Sequence, residues 1–257
     1  MNYDLPDVIS IEEEGPLRIV RLNRPDHLNA ISEELHLGLT RVFPQLSADR
    51  GARVAVLTGE GRAFSAGGDF DLLDRMARDM ELRRETIDEG RELVLNMLRC
   101  RIPVVAAVNG PAVGLGCSLI ALSDVVYMAE SAYLSDPHVQ VGLVAADGGP
   151  LTWPLHTSLL LAKEYAFTGE RITAGRAAQI GLANHVCPDG EVLEAARKAA
   201  HKIAALPQQA VEATKRTLNL HAERAVLATI DFAMGAETAS FDTEDLRRNV
   251  DRFLRRS

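Results

Sequence analysis

Aromatic residues are scarce in this chain, 5% of 257 residues with a single tryptophan, and positive charge is in deficit, 28 Lys and Arg against 36 Asp and Glu. Stacking platforms and basic faces are what nucleic acids require, so a net charge of -8 argues against a nucleic-acid partner. Cysteine is nearly absent as well. Cys100, Cys117 and Cys187 form no CxxC pair and cannot all be bridged, which points to reduced thiols; Cys117, beside the glycines, is read as a small buried filler in preference to a nucleophile. No apolar run approaches the roughly 18 residues of a membrane span. The opening MNYDLPDVIS lacks the basic and apolar regions of a secretory leader, so no membrane association and a cytoplasmic location are expected. Internal repeats and low-complexity segments are missing too. With 47% hydrophobic and 25% charged residues, the chain reads as one large globular domain or a domain with an appended helical part.

Two stretches organise what is there. Val104 to Val108 reads as a strand buried on both faces, and Asn109-Gly110-Pro111 turns it toward Gly114 and Gly116, where a helix begins. Upstream, Val54 to Thr58 is a second buried strand, leading through Gly59 to Arg62 into Ala63-Phe64-Ser65-Ala66-Gly67-Gly68-Asp69. Each glycine loop leaves backbone N–H groups bare at a helix start, where a carbonyl gaining negative charge is stabilised. Two such donors aimed at one point make an oxyanion hole; either loop alone is a weak signal, since glycines after a strand more often serve only a tight turn.

The rest of the chain falls around these stretches. Val8 to Glu13 and Leu17 to Leu22 predict a hairpin, and Ser32 caps a helix to about Leu46. Asp69 to Met80 and Glu81 to Leu98 are charged helices with solvated faces, Asp69 serving as a cap. Val125 to Ala129 is another short strand, and Leu134 to Val144 is irregular with a strand fragment. This alternation from 54 to 144 predicts an α/β core. Beyond Asp147 the pattern is almost wholly helical, over 162–167, 174–179, 191–205, 208–218, 222–239 and 243–253.

AFSAGGDF at Ala63 to Phe70, followed by PVVAAVNGPAVGLGCSLIALSD at Pro103 to Asp124, resembles the crotonase (enoyl-CoA hydratase/isomerase) superfamily. NRPDHLNAIS at Asn23 to Ser32, TGERITAGRAAQIGLANHV at Thr168 to Val186 and the basic end Phe253-Leu254-Arg255-Arg256 fit it in the same order. The resemblance implies a spiral of β-β-α turns over 1–195 and a C-terminal helical region over 196–257 that builds a trimer or a hexamer. It also implies an acyl-CoA thioester substrate, with CoA present only as part of the substrate and no metal or permanently bound cofactor.

Carried onto this sequence, the resemblance puts the two oxyanion-hole donors at the backbone N–H groups of Ala66 and Leu115. The segments holding Arg24 and Ala30, and Arg62, Ala63, Ser65 and Gly67, resemble CoA-binding loops; Gly114 belongs to the substrate side of the second loop, and Arg256 reaches toward phosphate. Family hydratases place two glutamates where this chain has Ser118 and His138. Ser118, counted with the substrate-binding residues, either holds a water or fills the core, the second being preferred. His138 is read as catalytic against a structural histidine, and Asp147 as its acid-base partner against a plain helix cap. An imidazole near its ordinary pKa of about 6.5, oriented by Asp147, suits a double-bond shift better than hydration, for which the usual carboxylate pair is missing. His138, Gly142-Leu143-Val144, Asp147-Gly148 and Trp153-Pro154 further resemble the 6-oxocamphor hydrolase-like branch, which cleaves carbon–carbon bonds of cyclic β-diketones. A lyase or isomerase, a carbon–carbon hydrolase and a non-catalytic binding protein of the same fold are the competing readings.

Overall fold

The structure is a computed structural model that describes residues 3–147 and 149–255. The hairpin forms as expected from β1 (Ile9–Glu14) and β2 (Leu17–Leu22). Ser32 caps α1 (Glu33–Ala48), its Oγ accepting the Leu35 N–H at 3.3 Å. β3 (Val54–Gly59) is buried throughout, and Asp69 caps α2 (Phe70–Arg78), which is followed by α3 (Met80–Arg99). Two β-β-α turns come next. The first is β4 (Val104–Val108), β5 (Ala112–Val113) and α4 (Leu115–Ala121); the second is β6 (Val125–Ala129), β7 (Tyr133–Ser135) and α5 (His138–Val141). Then follow α6 (Gly149–His156), α7 (Leu159–Thr168), β8 (Ile172–Thr173), α8 (Ala174–Ile180) and β9 (His185–Cys187). The chain closes with α9 (Val192–Ala204), α10 (Gln208–Leu227), α11 (Ile230–Ser240) and α12 (Glu244–Leu254).

Six strands form one sheet in the order β1-β2-β3-β4-β6-β9, parallel from β2 onward, and β5-β7-β8 form a second, small sheet. Each turn of the spiral therefore gives one strand to the large sheet, one to the small sheet and then a helix. In the turn that starts at β3, the loop at Ser65 takes the place of the small-sheet strand and bridges Ala112. That bridge sets the two glycine loops side by side.

Three expectations need correction. The 208–218 and 222–239 helices are divided elsewhere: α10 runs on to Leu227, because 219–221 contains no Gly or Pro to stop it, and Asn219 and Glu223 tie it to α3 through Leu98 O and Arg99. The region after Asp147 also carries β8 and β9, of two and three residues, too short to show a period. Lastly, 138–141, read as irregular, is the single helical turn of α5.

One main core holds both faces of the large sheet, α1, α3 and the inner faces of α9 to α11. A second, smaller cluster joins Leu72 and Met76 of α2, Val141 of α5, Leu143 and Phe241 with Leu246 and Val250 of α12. Phe70 and Phe253 stack across the α2–α12 junction with centroids 4.4 Å apart. Below the sheet, Arg18 of β2 is buried and donates from Nε to Asp49 Oδ2 at 2.7 Å, while the Tyr3 hydroxyl donates to the same carboxylate and the Gly51 N–H reaches its other oxygen at 2.9 Å. Among the described residues no helix is long and apolar enough to cross a membrane.

Candidate active site

The fold aims both glycine loops into a cavity of about 280 Å³ between α2, α4, α5, α11 and α12. Its walls include Ala66, Gly67, Gly68, Gly114, Leu115, His36, His138, Asp147 and Glu237. Gly114 has φ +52 and ψ -123, a conformation that glycine alone adopts readily, and so turns β5 sharply into α4. Gly116 is needed for proximity: a methyl group there would lie 2.8 Å from Ser65 Cβ, so α4 seats directly on the first loop.

The Ala66 assignment is overturned. Its N–H donates to the Leu28 carbonyl at 2.9 Å and cannot serve a ligand, and the Gly67 N–H is held by Ser65 Oγ at 3.3 Å. The Gly68 N–H, like that of Leu115 at the start of α4, has no acceptor among the described residues, and both residues line the cavity. Gly68 and Leu115 are thus the two donors free for an oxyanion. The signal was present as a second consecutive glycine, but only the local pairing of Ile31 with Gly68 shows which N–H stays open.

His138, Gly67, Gly114, Leu115 and Asp147 are brought together as expected, but the histidine's partner is different. The Nδ1–H of His138 donates to Asp136 Oδ1, two residues before it, and not to Asp147. Asp147 instead accepts the Ser118 hydroxyl at 3.2 Å. The imidazole also departs from its expected ordinary pKa. Burial disfavours its charge, yet the adjacent Asp136 carboxylate, aided by Asp147 and Glu237, outweighs this and raises it to about 10, so His138 is an imidazolium at neutral pH.

Glu237 of α11 was not legible in the sequence. Burial and the neighbouring Asp147 push its pKa up to about 8, and burial raises Asp147 too, although the His138 charge favours the Asp147 anion. His36 is a second residue that sequence reasoning missed; its Nδ1 pairs with Glu89 Oε2 at 2.9 Å.

The remaining predicted residues lie outside this cavity. Ser65 is fully buried and donates to the Asn29 carbonyl at 2.8 Å, Ala63 is buried with its carbonyl taken by Asn29 Nδ2, and Ser118 is a core residue that holds Asp147. Arg24 donates to the Ala30 carbonyl and, at 3.2 Å, to Asp69, beside the start of α1. Arg62 is exposed, and Arg256 lies outside the described residues. Cys117 is a buried filler whose thiol is pushed far up by burial. Among the described residues no His, Cys, Asp and Glu cluster is arranged to hold a metal ion.

A family model described as enoyl-CoA hydratase/isomerase matches residues 12–257. A crystal structure of an enoyl-CoA hydratase/isomerase from Mycobacterium paratuberculosis is 64% identical, with a TM-score of 0.95, covering 97% of this chain and 100% of that one. A putative enoyl-CoA hydratase of Thermus thermophilus is 37% identical over 80% of this chain and 81% of its own length. The human mitochondrial Delta(3,5)-Delta(2,4)-dienoyl-CoA isomerase is 32% identical over 90% of this chain and 74% of its own. Spiral, paired glycine loops and similarity along almost the whole chain agree: this protein belongs to the enoyl-CoA hydratase/isomerase family.

Proposed function

We propose that the protein moves protons on an acyl-CoA thioester through an enolate held by the Gly68 and Leu115 N–H groups. The observation that carries this reading is the pairing of two open backbone donors with an acid-base cluster in one small cavity. A thioester carbonyl seated on both donors gains charge as the α-proton leaves, and backbone dipoles already in place need no reorganisation to meet it. Asp147, its carboxyl raised by burial and so made a stronger base, with the His138 charge offsetting part of the rise, takes the proton; Glu237, protonated below about pH 8, is the acid. The His138 imidazolium, oriented by Asp136, adds positive charge beside the developing enolate. This arrangement suits an enoyl-CoA double-bond shift, in which one group removes a proton and another returns one to a different carbon. Hydration is the second reading, favoured because Glu237 supplies the second carboxylate that positions 118 and 138 lack.

The test is solvent exchange. A saturated acyl-CoA incubated with the protein in D₂O gains deuterium at the α-carbon, detected by mass spectrometry; no exchange with any acyl-CoA overturns the enolate. A panel of 2-enoyl-CoA, 3-enoyl-CoA and cyclic β-diketones then assigns the reaction. Turnover confined to the diketones would favour the carbon–carbon hydrolase.

For CoA itself, Arg24 and Arg62 on the outer loops and the exposed Arg252 and Arg255, continued by Arg256, are offered as phosphate partners. Arg255→Ala and Arg256→Ala each weaken CoA-ester binding by about 1 kcal/mol, and added salt weakens it further. Calorimetry reads both effects, and unchanged affinity in the double variant removes these arginines from the site.

Assembly into a trimer or hexamer through the helices of 196–257 completes the proposal. A groove of about 630 Å³ between α6, α9 and α10 is lined by Leu155, Leu206 and Leu218, and Phe232 is 83% exposed on α11. Apolar surface on this scale is covered economically by a second copy of the chain. Light scattering at micromolar concentration gives a trimer or hexamer mass; a monomer overturns the assembly.

A further inference from the structure

Two side-chain atoms among the described residues are buried without a hydrogen-bond partner, Asp136 Oδ2 and Trp153 Nε1. Asp136 is 2% exposed and Trp153 1%. The first can only accept when ionised and the second can only donate, so each is what the other lacks. They flank the same point at the start of α6: a methyl group on Gly149 would lie 2.2 Å from Asp136 Oδ2 and 3.8 Å from Trp153 Cε2, the ring carbon bonded to Nε1. The other Asp136 oxygen already holds Nδ1 of His138.

We propose that Trp153 is a positioning residue whose indole N–H reaches Asp136 Oδ2 through one buried water, completing a Trp153–Asp136–His138 chain. With both oxygens engaged the carboxylate cannot rotate, and the imidazole keeps Nδ1 on Asp136 and leaves Nε2 for the cavity. Gly149 is then a glycine because any side chain would displace the carboxylate. The indole stabilises Asp136 most when the imidazole is neutral and the carboxylate charge is unpaired. Losing it makes His138 hold its proton more tightly, with Asp147 and Glu237 facing the same ring.

This inference rests on His138 working in the proposed reaction, but its first test needs no substrate. Trp153 is the one tryptophan of the chain, so ¹⁵N-tryptophan labelling gives a single indole signal. That signal is expected to lie downfield of free indole, to exchange slowly with solvent and to move in Asp136→Asn. Superimposable signals in wild type and Asp136→Asn overturn the link. Should Asp136→Asn fail to fold, an alkaline titration of the wild type decides, since a signal that ignores the loss of the imidazolium proton also overturns it. In kinetics, Trp153→Phe lowers kcat about tenfold with KM changed by less than about twofold, and the His138 ring signals followed by NMR titrate at higher pH than in the wild type. Wild-type kcat and an unmoved His138 titration in Trp153→Phe refute the positioning role. A linked indole in a protein that turns over no acyl-CoA leaves the chain of bonds standing and removes the proposed reaction instead.

Discussion

Turnover falls by about a hundredfold or more in each of Asp147→Asn, Glu237→Gln and His138→Ala, while acyl-CoA affinity changes by less than about threefold. Asp147 and Glu237 share one cavity, and two half-buried carboxylates facing one cavity do not both ionise readily. Glu237, raised to about 8, carries the proton at neutral pH, while burial raises Asp147 as well and the His138 charge and the Ser118 hydroxyl offset only part of that rise. Removing the base or the acid therefore removes an interaction needed only during proton transfer, which lowers kcat and leaves KM nearly alone. The pH profile carries the sign. Activity that requires protonated Glu237 is full below its pKa and lost as pH rises through about 8, and Glu237→Gln lacks that limb. Full turnover in both carboxylate variants, or a wild-type profile flat from about pH 7 to 9, would place the chemistry on other residues. The missing glutamates at Ser118 and His138 predicted poor crotonyl-CoA hydration; Glu237 supplies the lacking acid, so the substrate panel decides that reaction.

Asp49→Ala costs about 3 to 5 kcal/mol of stability, far from the cavity, because among the described residues it leaves the buried guanidinium only the half-exposed Glu13 to pair with. The Arg18 side chain is 4% exposed and the Asp49 side chain 7%; the second acid near Arg18, Glu13, lies at 3.5 Å and is 44% exposed. Burial pushes the Asp49 carboxyl up, but the Tyr3 hydroxyl, the Gly51 N–H and Arg18 outweigh it and lower its pKa from 3.8 to about 2. A depressed carboxylate contributes its stability in full above the unfolded value, and that stability is lost as pH falls from about 4 through about 2. Urea titrations at neutral pH and at about pH 3 should show this dependence in the wild type and lack it in Asp49→Ala. A loss below about 1 kcal/mol at neutral pH would mean that water replaces the carboxylate at little cost.

Much of this architecture is written in local patterns. The all-apolar runs of β3 and β4 and the Ser32 and Asp69 caps are decided within a few residues, so their elements form where the sequence puts them. What escaped is decided at long range. Glu237 sits 90 positions beyond Asp147, looking like any surface acid until α11 packs on α3 and brings it to the cavity wall. His36 hides in the same way on α1. Asp136 was adjacent to His138 all along, yet nothing in the sequence says which of two nearby carboxylates the ring will face. The displacement of the oxyanion donor from Ala66 to Gly68 has a similar cause, since a backbone N–H is open or closed according to what pairs with it.

The small cluster formed by α2, α5 and α12 shares no buried residue with the main core and meets it through the half-buried Ile87 and the Arg83 bonds of α3, so it is expected to be less stable than the large sheet. Its amide protons are expected to exchange ahead of those of β3 and β4 in hydrogen exchange. Residues of both clusters line the cavity, so under the proposed function an acyl chain bound there would bridge them. Substrate would then slow exchange in α12, and part of its affinity would be set by the ordering of that helix.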